Sequence, residues 1–203
     1  MMRRGGETRQ AGGSRLRACL CILLGILLAL SATGCATAPR QAFDLAAAAG
    51  ALPRAERGGP SLVVREMTAA PPTSSARIVV RDADGSVYIL PDSEWSAPLP
   101  RLLRDRMVEA LQRAGVAAAA YGLAGAALST DIRRFEIDVA RNVAVVELSV
   151  RLVDANTGAA RAAQSFVAEA PAPEHTGAPA VMALTGAAGQ ALAKAASWAR
   201  GKL

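Results

Sequence analysis

The chain has 203 residues, 23 Lys and Arg against 17 Asp and Glu for a formal net charge of +6, three cysteines, one histidine and only seven aromatic side chains. The positive balance does not argue for nucleic-acid binding, because five arginines (Arg3, Arg4, Arg9, Arg15 and Arg17) and the acid Glu7 precede Cys35. From Cys35 onward 18 basic residues face 16 acidic ones, a net of +2, which gives no basic stripe of the kind a phosphate backbone requires.

Those arginines form a basic n-region ahead of a 13-residue apolar run, Ala18 to Leu30. Such a run is too short to cross ~30 Å of hydrocarbon as a helix and has the length of a signal-peptide core. Behind it, Ser31-Ala32-Thr33-Gly34-Cys35 resembles a bacterial lipobox, in which the cysteine thiol is diacylated, the chain is cut before it and the new amine is acylated. An ordinary secretory cut after Gly34 or Ala36 would instead leave Cys35 as a free thiol. The Arg3-Arg4 pair lies far from the apolar run and lacks the rest of a twin-arginine motif, so the general export route is expected. Residues 1–34 read as a lipoprotein signal peptide, with Cys35 as the lipidation site and first mature residue. Ala36 in place of Asp resembles the sorting signal of lipoproteins forwarded to the outer membrane of Gram-negative bacteria, on its periplasmic face.

Removal of the signal takes Cys19 and Cys21 with it, so no intrachain disulfide and no cysteine-based metal site is expected. Residues 35–60 are rich in Ala, Pro, Arg and Gly, apart from a short Phe43-Asp44-Leu45 element. They read as the lipidated N-terminus and a flexible tether of about 25 residues, with a coil dimension of ~25 to 30 Å and a full extension of ~80 Å.

Residues 61–203 read as one domain. Ser61 to Glu66 is a first strand, ended by Pro71-Pro72. Arg77 to Arg81 and Ser86 to Leu90 are apolar, β-branched runs joined by Asp82-Ala83-Asp84-Gly85, a hairpin signal. A calcium loop fails here, since its glycine and its last ligand fall at the wrong positions. Ser96, a candidate cap, and the prolines at 98 and 100 open a helix whose buried face is Leu99, Leu103, Met107, Ala110, Leu111 and Ala114. Arg104, Asp105, Glu109 and Arg113 cover the opposite face, and Gly115 ends the helix.

Beyond the Gly122 to Gly125 turn, Phe135, Ile137 and Val139 alternate with Arg134, Glu136 and Asp138. Val146, Leu148, Val150 and Leu152 alternate with Glu147, Ser149 and Arg151. These spacings predict two half-buried antiparallel strands turning at Arg141-Asn142. Ile132 falls out of phase with Phe135, which predicts a bulge at Arg133-Arg134. Asp154 to Gly158 turns into a strand from Arg161 to Glu169, and a final helix runs over Ala178 to Arg200 with a stripe of Val181, Leu184, Ala188, Leu192, Ala195 and Trp198. The fold class is therefore α/β (α+β): a single domain with a mixed, mostly antiparallel sheet of five to six strands flanked by two main helices.

Catalytic chemistry is sparse. His175 is alone, Ser74-Ser75 lacks the strand, turn and helix setting of a nucleophile elbow, and Gly122-Leu-Ala-Gly125 lacks the Lys and the Ser or Thr of a phosphate loop. Asp131, Glu136 and Asp138 read as partners of Arg133, Arg134 and Arg141 in cross-strand ion pairs. No catalytic, cofactor-binding or metal-binding residue is assigned, and no cofactor is expected.

Taken in order, Arg77-Ile-Val-Val-Arg81, Trp95-Ser-Ala-Pro-Leu-Pro100, Asp131-Ile-Arg-Arg-Phe-Glu136, Leu152-Val-Asp154 with Thr157-Gly158, and Trp198 behind a lipobox resemble the ABC-type transport auxiliary lipoproteins. That family includes the C-type lipoprotein component of the paraquat-inducible system. The resemblance runs from about Phe43 to Trp198, although relatives often carry a more Pro-rich lead where this chain has Ala46 to Ala51. It implies a non-catalytic outer-membrane lipoprotein that docks an MCE-domain protein and, through it, an ABC permease and ATPase. The implied cargo is phospholipid or another hydrophobic molecule. The turn from Trp95 to Pro100 and the exposed faces of the long strands are candidate contacts, with Trp95 equally readable as a core anchor. Two alternatives are an outer-membrane assembly lipoprotein supporting a barrel protein and a lipid-tethered periplasmic hydrolase.

Overall fold

A computed structural model describes residues 40–45 and 61–203. Among these described residues, nine strands and two helices follow in chain order: β1 (Gln41–Phe43), β2 (Ser61–Val64), β3 (Thr68–Ala69), β4 (Arg77–Arg81), β5 (Val87–Trp95), α1 (Leu99–Arg113), β6 (Ala117–Ala119), β7 (Ala126–Asp138), β8 (Val143–Asp154), β9 (Ala160–Pro171) and α2 (Gly177–Arg200). All strands join one mixed sheet. The expected class holds, with nine strands where five to six were expected. The added ones, β1, β3 and β6, have two or three residues each.

The organising strand is β7, 13 residues long. One of its edges carries three short parallel partners in succession: β2 at Ala126 to Leu128, β3 at Asp131 and Ile132, and β4 at Glu136 to Asp138. The other edge pairs antiparallel with β8, which pairs antiparallel with β9. β6 extends the sheet from β2, while β5 and then β1 extend it from β4. The long ladders are the antiparallel ones, as the alternation of the sequence predicts.

Between Ile132 and Arg134 the β7–β8 register shifts, so Arg133 is the extra residue of a bulge where the phase change predicts one. The bulge keeps both Ile132 and Phe135 on the face toward the helices and turns Arg134, Glu136 and Asp138 to the other. That first face, with Leu128, Ile137, Val146, Leu148 and Val150, forms one core cluster with the apolar stripes of α1 and α2. Both helices contribute to this cluster and pack on each other, while the opposite face carries the charged residues of β7 with the buried Val79 and Val145 beside Glu136.

α1 starts without a side-chain cap. Its N-cap is Pro98, and Ser96 is instead held by its own N–H, which donates to the Phe43 carbonyl at 2.7 Å. The first-turn N–H of Leu99 is satisfied by the Ser75 carbonyl at 3.1 Å, and Pro100 has none to satisfy. The helix ends in a Schellman motif: Gly115 has φ +84°, its N–H donates to the Gln112 carbonyl, and the Val116 N–H reaches the Leu111 carbonyl. Arg104, expected on the solvent face, is 5% exposed. Its stem packs inward, while its guanidinium bonds Asp105 and the Tyr121 hydroxyl and lies 5.0 Å from the Tyr121 ring centre.

β5 continues past Leu90 through Pro91 to Trp95, beyond the end that the proline suggests. Proline is tolerated there because the β4–β5 register shifts between Arg77 and Val79, so Pro91 faces no ladder that needs its N–H. Gln41 to Phe43, which the sequence reading puts on the tether, pair with Ser93 to Trp95, and Leu45 is 2% exposed. In α2, alanines at 180, 187, 188, 191, 195 and 199 are all buried, and the lack of bulk lets the helix lie close on β8 and β9.

Candidate functional site

Cys35, the proposed lipidation site, lies outside the described residues. What the described residues offer is a charged outer face, two loop features that the sequence singles out, and a groove between the helices.

On the outer face, the parallel β4–β7 register sets Arg81 beside Asp138 and one rung from Glu136. Arg81 grips Glu136 with both prongs, Nε to Oε1 at 2.9 Å and an Nη to Oε2 at 3.0 Å, and Arg134 adds a bond to the same carboxylate at 2.8 Å. Burial acts to raise the Glu136 pKa, since its side chain is 6% exposed, but hydrogen bonds and charge from Arg81 and Arg134 prevail and hold it below the ordinary glutamate value. Asp138 is shared between Arg134 at 3.4 Å and Arg141 at 4.0 Å, and Arg141 also pairs with Glu169 of β9. Asp131 pairs with Arg133 at 2.8 Å and accepts from Thr68 Oγ1 at 2.9 Å.

The acids and arginines named from sequence are thus ion-paired, with one correction: their mutual pairs run along β7 and its turn, and the cross-strand partners are Arg81 and Glu169. A carboxylate held ionised between two guanidiniums carries no proton to give at neutral pH, so Glu136 lacks the raised pKa of a general acid.

His175 Nε2 sits 2.9 Å from Asn142 Oδ1, bracing the β7–β8 turn in which Asn142 takes φ +51°. Ser75 Oγ donates to the Pro72 carbonyl at 2.7 Å and accepts the Arg77 N–H at 3.1 Å. The serine precedes the start of β4, and the turn braced by His175 lies beyond its end, where Val139 N–H bonds the Arg81 carbonyl. Ser75 and His175 therefore stand beyond opposite ends of β4 and form no nucleophile and base pair. Asp82 and Asp84 are spent within their hairpin: Asp84 Oδ1 accepts the Ser86 N–H at 2.8 Å, and the Gly85 N–H closes the turn onto the Asp82 carbonyl at 3.0 Å. Among the described residues no three His, Cys, Asp or Glu side chains could hold a metal ion. Among them, too, no helix is long and apolar enough to cross a membrane.

Trp95 is 1% exposed and meets Phe135 edge to face, centroids 5.7 Å apart at 84°. Of its two readings, core anchor and contact residue, the structure assigns the first. Exposed apolar side chains occur instead at Tyr121 and Leu123, in the turn before β7, and at Met182 on α2.

Sequence reading did not foresee a groove of about 580 Å³ between α1 and α2, with Leu45, Ala110, Leu192 and Gly189 on its walls and Arg106 and Arg113 at its lip. Both arginines pair with Glu109, at 2.7 and 3.4 Å. Its signal in the sequence is the four-residue spacing of Thr185, Gly189, Ala193 and Ser197, small residues that leave one side of α2 without bulk. Chemically it offers a mostly aliphatic wall beside a paired cationic lip.

Fold and surface together define a two-layer α+β domain whose described residues supply packing and ion-pairing surfaces. Its family model match is the ABC-type transport auxiliary lipoprotein component, over residues 43–196, and the chain belongs to that family. The fold is similar to the crystal structure of a Xanthomonas campestris protein of the family DUF330, at 26% identity and TM-score 0.65, covering 73% of this chain and 91% of that one. It is also similar to the crystal structure of an uncharacterised protein, at 18% identity and TM-score 0.64, covering 79% of this chain and 99% of the other. No curated protein matches the chain significantly.

Proposed function

We propose that this chain is a non-catalytic, lipid-anchored subunit of an ABC transport system, held by acylated Cys35 on the periplasmic face of the outer membrane. There it docks an MCE-domain protein, and through it the permease and ATPase, for traffic in phospholipid or another hydrophobic molecule. The observation that carries this reading is the position of the family domain, which starts at Phe43, eight residues after a cysteine set behind a basic and apolar export signal. Acyl chains contribute ~0.8 kcal/mol per buried methylene, and more than one chain makes the anchorage stable. Confinement to the membrane raises the local concentration of the domain for its partner, so a modest interface suffices. The depressed carboxylate of Glu136 and the separation of His175 from Ser75 support a non-catalytic role.

The test is expression of the parent chain and Cys35→Ser with labelled palmitate, membrane fractionation, and recovery of crosslinked partners. Label and outer-membrane sedimentation in the parent, both lost in the variant, together with recovery of an MCE-domain protein, are expected. An unlabelled parent chain overturns the anchor. Recovery of a barrel protein without any MCE-domain protein overturns the docking role.

A further inference from the structure

β9 pairs with β8 on one side and has no strand on its other side among the described residues. The sheet's remaining ends are short, three residues each in β1 and β6, whereas β9 runs for 12. Soluble proteins shorten, charge or cover such an edge unless it has a partner. The phase of its backbone groups can be read directly. Ala172 donates its N–H to the Asn142 carbonyl on the β8 side at 2.8 Å, and in an antiparallel ladder alternate residues point both groups the same way. Ala163, Ser165, Val167 and Glu169 therefore direct N–H and C=O away from β8. Two details agree: Pro171, with no N–H, falls in this outward phase, and the Val167 carbonyl accepts from Lys194 Nζ at 3.1 Å.

The side chains at these positions are exposed, Val167 by 48%, and their order is self-complementary about Ser165. Antiparallel pairing of two copies sets Ser165 opposite Ser165 once, on the two-fold axis, and Val167 opposite Ala163 and Glu169 opposite Arg161 twice each. The large side chain meets the small one and the acid meets the base. Parallel, in-register pairing would instead oppose Glu169 to Glu169 and Arg161 to Arg161, which is unfavourable. Both charges already have partners in their own copy, Arg141 for Glu169 and Asp154 for Arg161, so pairing would extend two existing ion pairs. The β8–β9 register shifts at Arg161, so the regular edge begins at Ala162, and Arg161 meets Glu169 through the reach of its side chain at the end of that edge, not as a backbone rung.

We propose that this edge is the docking surface for a second copy of the chain, through a two-fold antiparallel β9–β9 pair centred on Ser165 that joins the two sheets. Lys194 swings off the Val167 carbonyl when the partner strand arrives, as a long flexible side chain can. The proposal is independent of the transport role.

Single cysteines test the register in the full chain, extracted in mild detergent. Centred pairing puts the two Ser165 Cα atoms ~5.5 Å apart, within the ~4.4 to 6.8 Å that a disulfide spans. Two Val167 residues would stand about four positions apart, roughly 13 Å. Mild oxidation of Ser165→Cys is expected to yield a reducible dimer on the order of tenfold above both Val167→Cys and the unsubstituted chain. A mixture of Ala163→Cys and Val167→Cys chains should link to each other. Sedimentation of the unsubstituted chain should show a concentration-dependent dimer, and the circular dichroism of reduced Ser165→Cys should match it, showing an intact fold. Equal linking by Val167→Cys, no linking by a folded Ser165→Cys, or linking of Ser165→Cys to a different protein each overturns the proposal.

Discussion

Glu136 and Arg81 lie 55 residues apart in the chain and meet through a two-pronged ion pair on the sheet face opposite the helices. Glu136→Gln removes the charge and leaves both Arg81 and Arg134 without their shared partner. Breaking so enclosed a pair is expected to cost about 2 to 3 kcal/mol at pH 7, read by urea denaturation.

The same group sets an acid limit. Its folded-state pKa is lowered, so its contribution is complete above the unfolded value near 4.5 and is lost as the pH falls through the lower folded value. The stabilities of the parent chain and Glu136→Gln should therefore converge below that unfolded value. A gap that stays constant down to acid denaturation would show that the pair does not govern this limit.

Trp95 and Phe135 form an edge-to-face pair in the core. Trp95→Ala should lose about 3 to 5 kcal/mol, and a double-mutant cycle with Phe135→Leu should return a coupling of about 0.5 to 1.5 kcal/mol. Because Trp95 is enclosed, Trp95→Phe should leave partner recovery in the crosslinking assay unchanged.

Gly115→Ala isolates a backbone effect. A Cβ there meets nothing within 4 Å, so the penalty comes from φ +84° alone. A loss of about 1 kcal/mol is expected in denaturation.

Gly189 offers the opposite sign. It lies in the interior of α2, lines the groove, and a Cβ there also meets nothing within 4 Å. Gly189→Ala should add about 0.8 to 1 kcal/mol through helix propensity, seen as a higher thermal midpoint.

The parts of the fold that can be read from the chain are those whose signal is local. The Asp82 to Gly85 turn, the Gly115 stop, the alternation along β7 and β8 and the one-residue phase slip at Arg133 each declare themselves within a dozen residues. Ala117-Ala118-Ala119 has no preference for a strand and becomes one because β2 lies beside it. Thr68-Ala69 is too short to show a period. Pro91 argues against the strand that runs through it, and only the shifted register of β4 removes the objection. Ser96 is a good cap by type, yet the Ser75 carbonyl takes the first-turn N–H of Leu99 that its hydroxyl was expected to satisfy.

For the site, the difference between near and far in sequence matters most. Glu136 has arginines at 133 and 134, so neighbours suggest themselves as partners. Arg81 emerges only when β4 is laid parallel to β7, a pairing that no local pattern encodes. The groove between α1 and α2 is similar: the small residues of α2 are visible in the sequence, but the wall they face is supplied by Leu45 and Ala110.

The three short strands on the leading edge of β7 give this domain a built-in delay. Val64 finds Leu128, Ala69 finds Ile132 and Arg81 finds Asp138, so each waits for a partner more than fifty residues downstream. Contacts of that separation form slowly, whereas β7, β8 and β9 need only tight turns to assemble. In a polypeptide emerging N-terminus first, β2, β3 and β4 therefore stay unpaired with β7 until residues 126–138 have arrived. A later strand, β7, is the template on which β2, β3 and β4 settle, so these early strands are placed only after their successor has been delivered.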